Sequence, residues 1–173
     1  MEEYIGLLFR FWPGYEGMIL RRALYKMLFK KIGKKSIIFS NAYLTHTYNI
    51  SAGNCLAINS GAFIDGRGGI EIGDNVLIGP HVFIGSSNHA VETTNGLPRI
   101  FVGHIPKMVK IGSNVWIGAH AVICPGANIG DNSVIGAGSV VVSDIPDSVV
   151  ACGSPCEVKK TQHKQLKPEG GVV

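Results

Sequence analysis

A chain of 173 residues can bury one sizeable core and is expected to form a single domain. Its 23 glycines and 16% charged residues suit tightly turned β structure better than a helical bundle, and despite 46% hydrophobic residues no apolar run approaches the ~18 residues of a spanning helix. The net charge of +4 is unevenly placed: Arg10, Arg21, Arg22, Lys26, Lys30, Lys31, Lys34 and Lys35 face only Glu16 between positions 10 and 35, and no second basic stripe or recognition motif supports nucleic-acid binding.

Glu2 and Glu3 stand where a signal peptide would carry positive charge, which argues against a secretory leader. After the break at Pro13-Gly14, Glu16 to Lys31 reads as an amphipathic helix with Leu20, Leu24, Met27 and Leu28 on one stripe and basic residues around it. That helix suits two compatible roles. Its stripe can cap an open sheet end against aggregation, or residues 10–35 can rest on a membrane surface with Phe9, Phe11 and Trp12 at the headgroups.

From Ile32 a repeat begins weakly, with units at Ile50, Ile58 and Ile64 and two-residue insertions at Leu56-Ala57 and Ile70-Glu71; Ile72, Ile78 and Ile84 restore the register. It stops after Ile84-Gly85-Ser86-Ser87-Asn88-His89, and residues 90–110 form one long interruption, of the kind that is usually functional. Between Ile111 and Val142 isoleucine then recurs at 111, 117, 123, 129 and 135, each followed by a small residue. A period of six fits neither a helix nor an alternating strand. It fits one short strand and one turn per unit, three units closing a triangular coil whose inward isoleucines stack in ladders, at roughly 25 cal/mol per Å² buried. Ile145-Pro146-Asp147 and Gly153-Ser154-Pro155 mark the end of the coil. The organisation expected is an N-terminal amphipathic segment (1–31), a β-helix (32–158) and a C-terminal tail (159–173). Four cysteines without a CxxC pair indicate a reduced, cytoplasmic chain, with Cys124 packed in the core.

The run VWIGAHAVICPGANIGDNSVIGAGSVVVSDIPDSVVACGSPC resembles the galactoside, maltose and xenobiotic acetyltransferases of the hexapeptide-repeat family. The upstream half, with its basic helix, is similar to O-acetyltransferases of cell-surface polysaccharide synthesis. The resemblance implies an all-β, left-handed parallel β-helix, a hand that the period does not dictate. It also implies a homotrimer binding acetyl-CoA between adjacent β-helices, and direct acyl transfer to a saccharide hydroxyl without a metal or a covalent enzyme intermediate.

His89 is the leading candidate base. It sits at the corner from which the loop departs, and a neutral imidazole titrates near working pH; by resemblance, the Asn88-His89 pair supplies the base that deprotonates the acceptor. Carried over by position, Trp116 packs beside the acyl end of the cofactor, and the amides of Ala119 and Ala137 meet the pantetheine arm and thioester oxygen. Fixed donors of that kind stabilise an oxyanion without reorganising. Lys160 matches a basic position that meets the cofactor phosphates. Val142-Ser143 and Glu157 depart from the family pattern, so phosphate contacts fall to Lys159, Lys160 or Lys164. Glu71, expected at the His89 corner one turn earlier, and Glu92 are candidates to orient the imidazole. Asn59 and Asp65 are candidates to bind a sugar, and His104 to reach the acceptor of a neighbouring subunit. His81 and His120 fall one turn apart on one side of the coil, which leaves a metal-binding β-helix of the γ-carbonic anhydrase type as an alternative that lacks a third ligand. N-acetylation of an amino sugar and a non-catalytic scaffold are the others.

Overall fold

The structure, a computed structural model, describes residues 6, 9–90 and 103–161. Past the helix α1 (Gly14–Leu28), the chain winds through about five turns of a left-handed parallel β-helix. The first turn is β1 (Lys31–Ile32), β2 (Ile37–Ile38) and β3 (Tyr43–Thr45); the second is β4 (Ile50–Ala52), β5 (Ala57–Ile58) and β6 (Phe63–Asp65). The third is β7 (Ile70–Ile72), β8 (Leu77–Ile78) and β9 (Phe83–Gly85), followed by a hairpin, β10 (Ser87–His89) and β11 (His104–Pro106). β12 (Val109–Ile111), β13 (Trp116–Ile117) and β14 (Val122–Ile123) resume the coil, and β15 (Asn128–Ile129), β16 (Val134–Ile135) and β17 (Val140–Val141) complete it. Ile145 bridges to Ile129, and β18 (Val149–Cys152) turns back into an antiparallel β19 (Glu157–Thr161). Lys159 and Lys160 thus belong to a closing hairpin rather than to a free tail.

Three faces result. Face one is β1-β4-β7-β12-β15, face two β2-β5-β8-β13-β16-β18-β19, and face three β3-β6-β9-β14-β17. The stacking principle is visible on face two, where Ile38, Ile58, Ile78, Ile117 and Ile135 pair in sequence and are all fully buried. At the edge between faces one and two, Asn75, Asn114 and Asn132 stack with amide hydrogen bonds of 3.1 Å and φ near +57°. Asparagine tolerates that left-handed geometry, which explains its recurrence in the repeat.

Residues one turn apart differ by 20 in the first turns, by 39 where the hairpin leaves, by 18 after it and by 16 at the end of the coil. The extra residues all fall at the edge between faces three and one, which agrees with the insertion expected at Ile70-Glu71 and moves the one expected at Leu56-Ala57 to the start of β4. The face-one ladder runs through Ile32, Ala52, Ile72, Ile111 and Ile129, not through Ile50. Leu56 occupies an inward position just before β5 and is fully buried, so no insertion exists there. A two-residue insertion preserves strand alternation, so Ile50 and Ile70 also point inward and continue to Val109.

α1 covers the open first turn through part of the expected stripe, Leu24 being buried and Leu28 packed against the core, with the contact face rotated away from Leu20 and Met27. Gly17, Arg21, Leu24 and Tyr25 are buried, whereas Leu20 is 38% and Met27 77% exposed. Arg21 ties the helix both to the first turn and to the segment that precedes it. Its Nε donates to the Ile38 carbonyl (2.8 Å) and its Nη1 to those of Phe9 (3.0 Å) and Trp12 (2.7 Å). Burial pushes the Arg21 pKa down. Gly17 has no room for a Cβ against the Trp12 carbonyl, so the helix lies close to that segment. Tyr25 and Phe29 extend the core into the helix. Among the described residues no helix is long and apolar enough to cross a membrane.

Candidate active site

The hairpin β10/β11 projects from the edge between faces three and one, rooted on the turn below. Ser86 is fully buried; its hydroxyl donates to the Asp65 carbonyl (2.8 Å) and accepts the Gly68 N–H (2.8 Å), while its carbonyl accepts the Lys107 N–H (2.8 Å). This anchor holds Asn88 opposite Ile105 and His89 opposite His104, the two imidazoles lying 4.2 Å apart between ring centroids. His104 is therefore a partner of His89 within one chain. Desolvation, followed by the positive charges of Arg67 and His89, holds the His104 pKa below its ordinary value.

Beneath the hairpin lies a pair that the sequence did not single out. Asp65 Oδ1 is 2.8 Å from His46 Nδ1, and Thr45 Oγ1 is 3.1 Å from the same nitrogen. Asp65 also accepts the Arg67 N–H (3.1 Å), with Arg67 Nε 3.8 Å from its second oxygen. The Asp65 carboxylate is thus already committed to His46 and Arg67. The available signal for His46 was its spacing, one 20-residue turn before Gly66 on the widened edge.

Two candidates fall elsewhere. Asn59 follows β5 at the edge between faces two and three, where its amide donates to the Ile78 carbonyl (2.9 Å). Glu71 is the middle residue of β7 on face one, beside Lys110 at 3.7 Å, rather than at the His89 corner. Glu92 lies outside the described residues.

The edge between faces two and three carries a second constellation. His81 and His120 stack with centroids 5.0 Å apart and planes 9° from parallel, both at positive φ. Among the described residues no group of three or more His, Cys, Asp or Glu side chains is placed to hold a metal. Ala119 and Ala137 occupy successive levels of the same edge, linked by Gly138 N–H donating to the Ala119 carbonyl (2.8 Å). The N–H groups of Ala119 and Ala137 have no acceptor among the described residues, which leaves two unused donors fixed in a rigid coil. Trp116, 53% exposed, stands nearby on face two between Leu77 and Val134. At the far end Lys160 lies in β19 opposite Val150, and Lys159 is tied to Glu157 at 3.0 Å. The cysteines are free thiols, and burial pushes those of Cys124 and Cys156 up, which disfavours the nucleophilic thiolate.

His89 and the Trp116–Ala119–Ala137 line therefore occupy different edges of the prism, with face three between them. The outer surface of that face carries stacked rings of Tyr43, Phe63 and Phe83, 5.0 and 5.5 Å apart, with Phe63 and Phe83 about 40% exposed.

Residues 108–143 match the family model of the bacterial transferase hexapeptide (six repeats). The chain is 42% identical over 141 residues to a galactoside O-acetyltransferase of Escherichia coli, a match covering 80% of this chain and 66% of that protein, so just under two thirds of the relative's length is spanned. A solved galactoside acetyltransferase in complex with coenzyme A superposes with a TM-score of 0.85 at 35% identity, covering 99% of this chain and 86% of that one. A maltose O-acetyltransferase from Clostridium difficile 630 superposes with a TM-score of 0.79 at 35% identity over 94% of this chain and 85% of its own. With the repeat, the stacked coil and these likenesses together, this chain belongs to the hexapeptide-repeat acetyltransferase family.

Proposed function

We propose that this chain is an acetyl-CoA-dependent O-acetyltransferase acting on a saccharide hydroxyl. The observation that carries this reading is the pair of unpartnered amides at Ala119 and Ala137 on one edge and the exposed imidazole of His89 on another. Within one chain the two halves lie apart, and a homotrimer brings the His89 edge of one copy against the amide edge of the next. The exposed aromatic ladder of face three supports such an assembly, since an apolar strip of this kind is normally covered. The cofactor lies in the groove so formed, beside Trp116, with Lys160 toward its phosphates; coenzyme A is the ligand named for the solved galactoside relative.

His89 takes the proton of a sugar hydroxyl, and the oxygen attacks the acetyl carbonyl carbon. Hydrogen bonds from the fixed amides stabilise the oxyanion. The C–S bond then breaks, the acetyl group stays on the sugar oxygen, and the thiolate recovers the proton from His89. Asn88 beside the base, and His46, Arg67 and His104 around it, are the polar groups that meet the sugar, with Asp65 holding His46 and Arg67 in place. Glu92, three residues past His89 in sequence, is the remaining candidate to orient the imidazole. The acceptor class follows the galactoside and maltose relatives, and the basic N-terminal segment favours a surface polysaccharide or its lipid-linked precursor, acetylated on the cytoplasmic side where acetyl-CoA is made.

His89→Ala is expected to bind acetyl-CoA as the unaltered chain does by calorimetry and to turn over ~10²–10⁴-fold more slowly in a thiol-release assay. Unchanged turnover would remove His89 from the mechanism. Amino sugars in the same acceptor screen separate O- from N-acetylation.

A further inference from the structure

We infer that the outer side of α1, with the turn that follows β1, is a docking surface for an anionic lipid bilayer. The inference goes beyond the transferase reading and stands on the helix and the first turn alone. Since Gly17, Arg21, Leu24 and Tyr25 attach α1 to the coil, the opposite side has no structural task. It nevertheless carries Tyr15 (70% exposed), Ile19 (52%) and Met27 (77%), continuous with Phe11 and Trp12 before the helix. Interleaved with them are Arg22, Lys26, Lys30, Lys31, Lys34 and Lys35, all exposed, against the single exposed carboxylate of Glu16. None of these six cations makes an ion pair with a described residue. A groove between α1 and the first turn, lined by Tyr15, Ile19, Arg22, Lys35 and Ile37, joins the apolar and basic groups in one surface.

The chemistry selects the occupant. Aromatic and aliphatic side chains at the level of the cations match a headgroup boundary, where rings enter the acyl edge and ammonium and guanidinium groups meet phosphates. A second copy docking here by a two-fold axis would place like charges face to face, which is unfavourable. The rigid attachment through Arg21 means that the helix is presented already formed, so binding carries no cost of ordering it.

The full chain is sedimented with vesicles of phosphatidylcholine alone and of phosphatidylcholine with one quarter phosphatidylglycerol. Enrichment on the anionic vesicles, falling steeply above about 0.1 M salt as screening shortens, is the expected result. Each neutralised cation removes about fivefold in partitioning, so Lys26→Glu/Lys30→Glu/Lys34→Glu should bind at least ~100-fold more weakly. Ile19→Ser/Met27→Ser, which keeps the charge, should lose about tenfold or more. Both variants should keep the unaltered chain's mass by light scattering and its turnover of a soluble sugar. Equal binding to both vesicle types, retention by the triple reversal, or a loss of subunits in either variant would overturn the inference, the last by showing that the surface meets another copy. A transferase reading that fails in the turnover assay leaves the sedimentation result standing.

Discussion

Gly68→Ala tests how the fold positions the candidate base. Gly68 lies in the turn beneath the hairpin, and a Cβ there would sit 2.8 Å from the Lys107 nitrogen and closer still to the Ser86 carbonyl oxygen. Both are backbone atoms, and they are the two roots of the strand pair carrying His89 and His104. Ordinary contact begins near 3.4 Å, so the turn and the hairpin must separate by more than about 1 Å, stretching the Lys107–Ser86 hydrogen bond. Overpacking of this kind costs about 1–3 kcal/mol, and a base misplaced by about 1 Å costs of order 10²-fold in rate. The expectation is therefore a fall of about 30–100-fold in thiol release with a modestly lowered Tm and unchanged acetyl-CoA affinity, because the amide edge is untouched. Gly103→Ala is the matched control, since nothing lies within 4 Å of its would-be Cβ. Turnover in Gly68→Ala equal to that of Gly103→Ala would refute the claim that this anchor sets the position of His89.

The ladders offer a contrast within one fold: Ile84→Ala, fully buried, should destabilise by about 2–5 kcal/mol in urea, and Ile37→Ala, 41% exposed, by less than about 1. Arg21→Met should cost about 2–4 kcal/mol because three carbonyls lose a charged donor; a loss under about 1 kcal/mol would mean that water replaces it. His104 should titrate below 6.5 by NMR, and Arg67→Ala should raise its pKa. A depressed histidine pKa means that the unfolded chain binds the extra proton first, so stability is complete above the unfolded value of 6.5 and declines as pH falls from there toward the folded pKa. His104→Asn should flatten that decline, and an unchanged slope would assign it to other groups.

The coil was legible because its determinants are local. An inward isoleucine with a small neighbour every six residues dictates a strand, a corner and a stack, so the period alone assigns Ile111, Ile117, Ile123, Ile129 and Ile135 to the interior, where all five are buried. The same period marked where the hairpin leaves, and hence the corner of His89 and the stacking of His81 on His120. The registers of the early turns were not legible, since a two-residue insertion leaves Ile50 and Ala52 equally able to face inward. Only the stacking of turn on turn shows that Glu71 belongs to face one and Asn59 to the edge opposite the hairpin.

Two outcomes belonged wholly to the tertiary structure. The docking face of α1 was set by contacts distant in sequence: Arg21 bonds the Ile38 carbonyl of the first turn and those of Phe9 and Trp12, so the helix seats on Arg21, Leu24 and Tyr25 and leaves Leu20 and Met27 exposed. The candidate site was divided by strand position: His89 follows a face-three strand whereas Ala119 and Ala137 follow face-two strands, so they stand on separate edges, and the stack brings His46 and Asp65 together under the hairpin although 19 residues separate them in sequence. Local periodicity records which residues face inward, because each unit meets the same core; which outward residues become neighbours depends on the sum of all the turns between them, and that sum exists only in the folded coil.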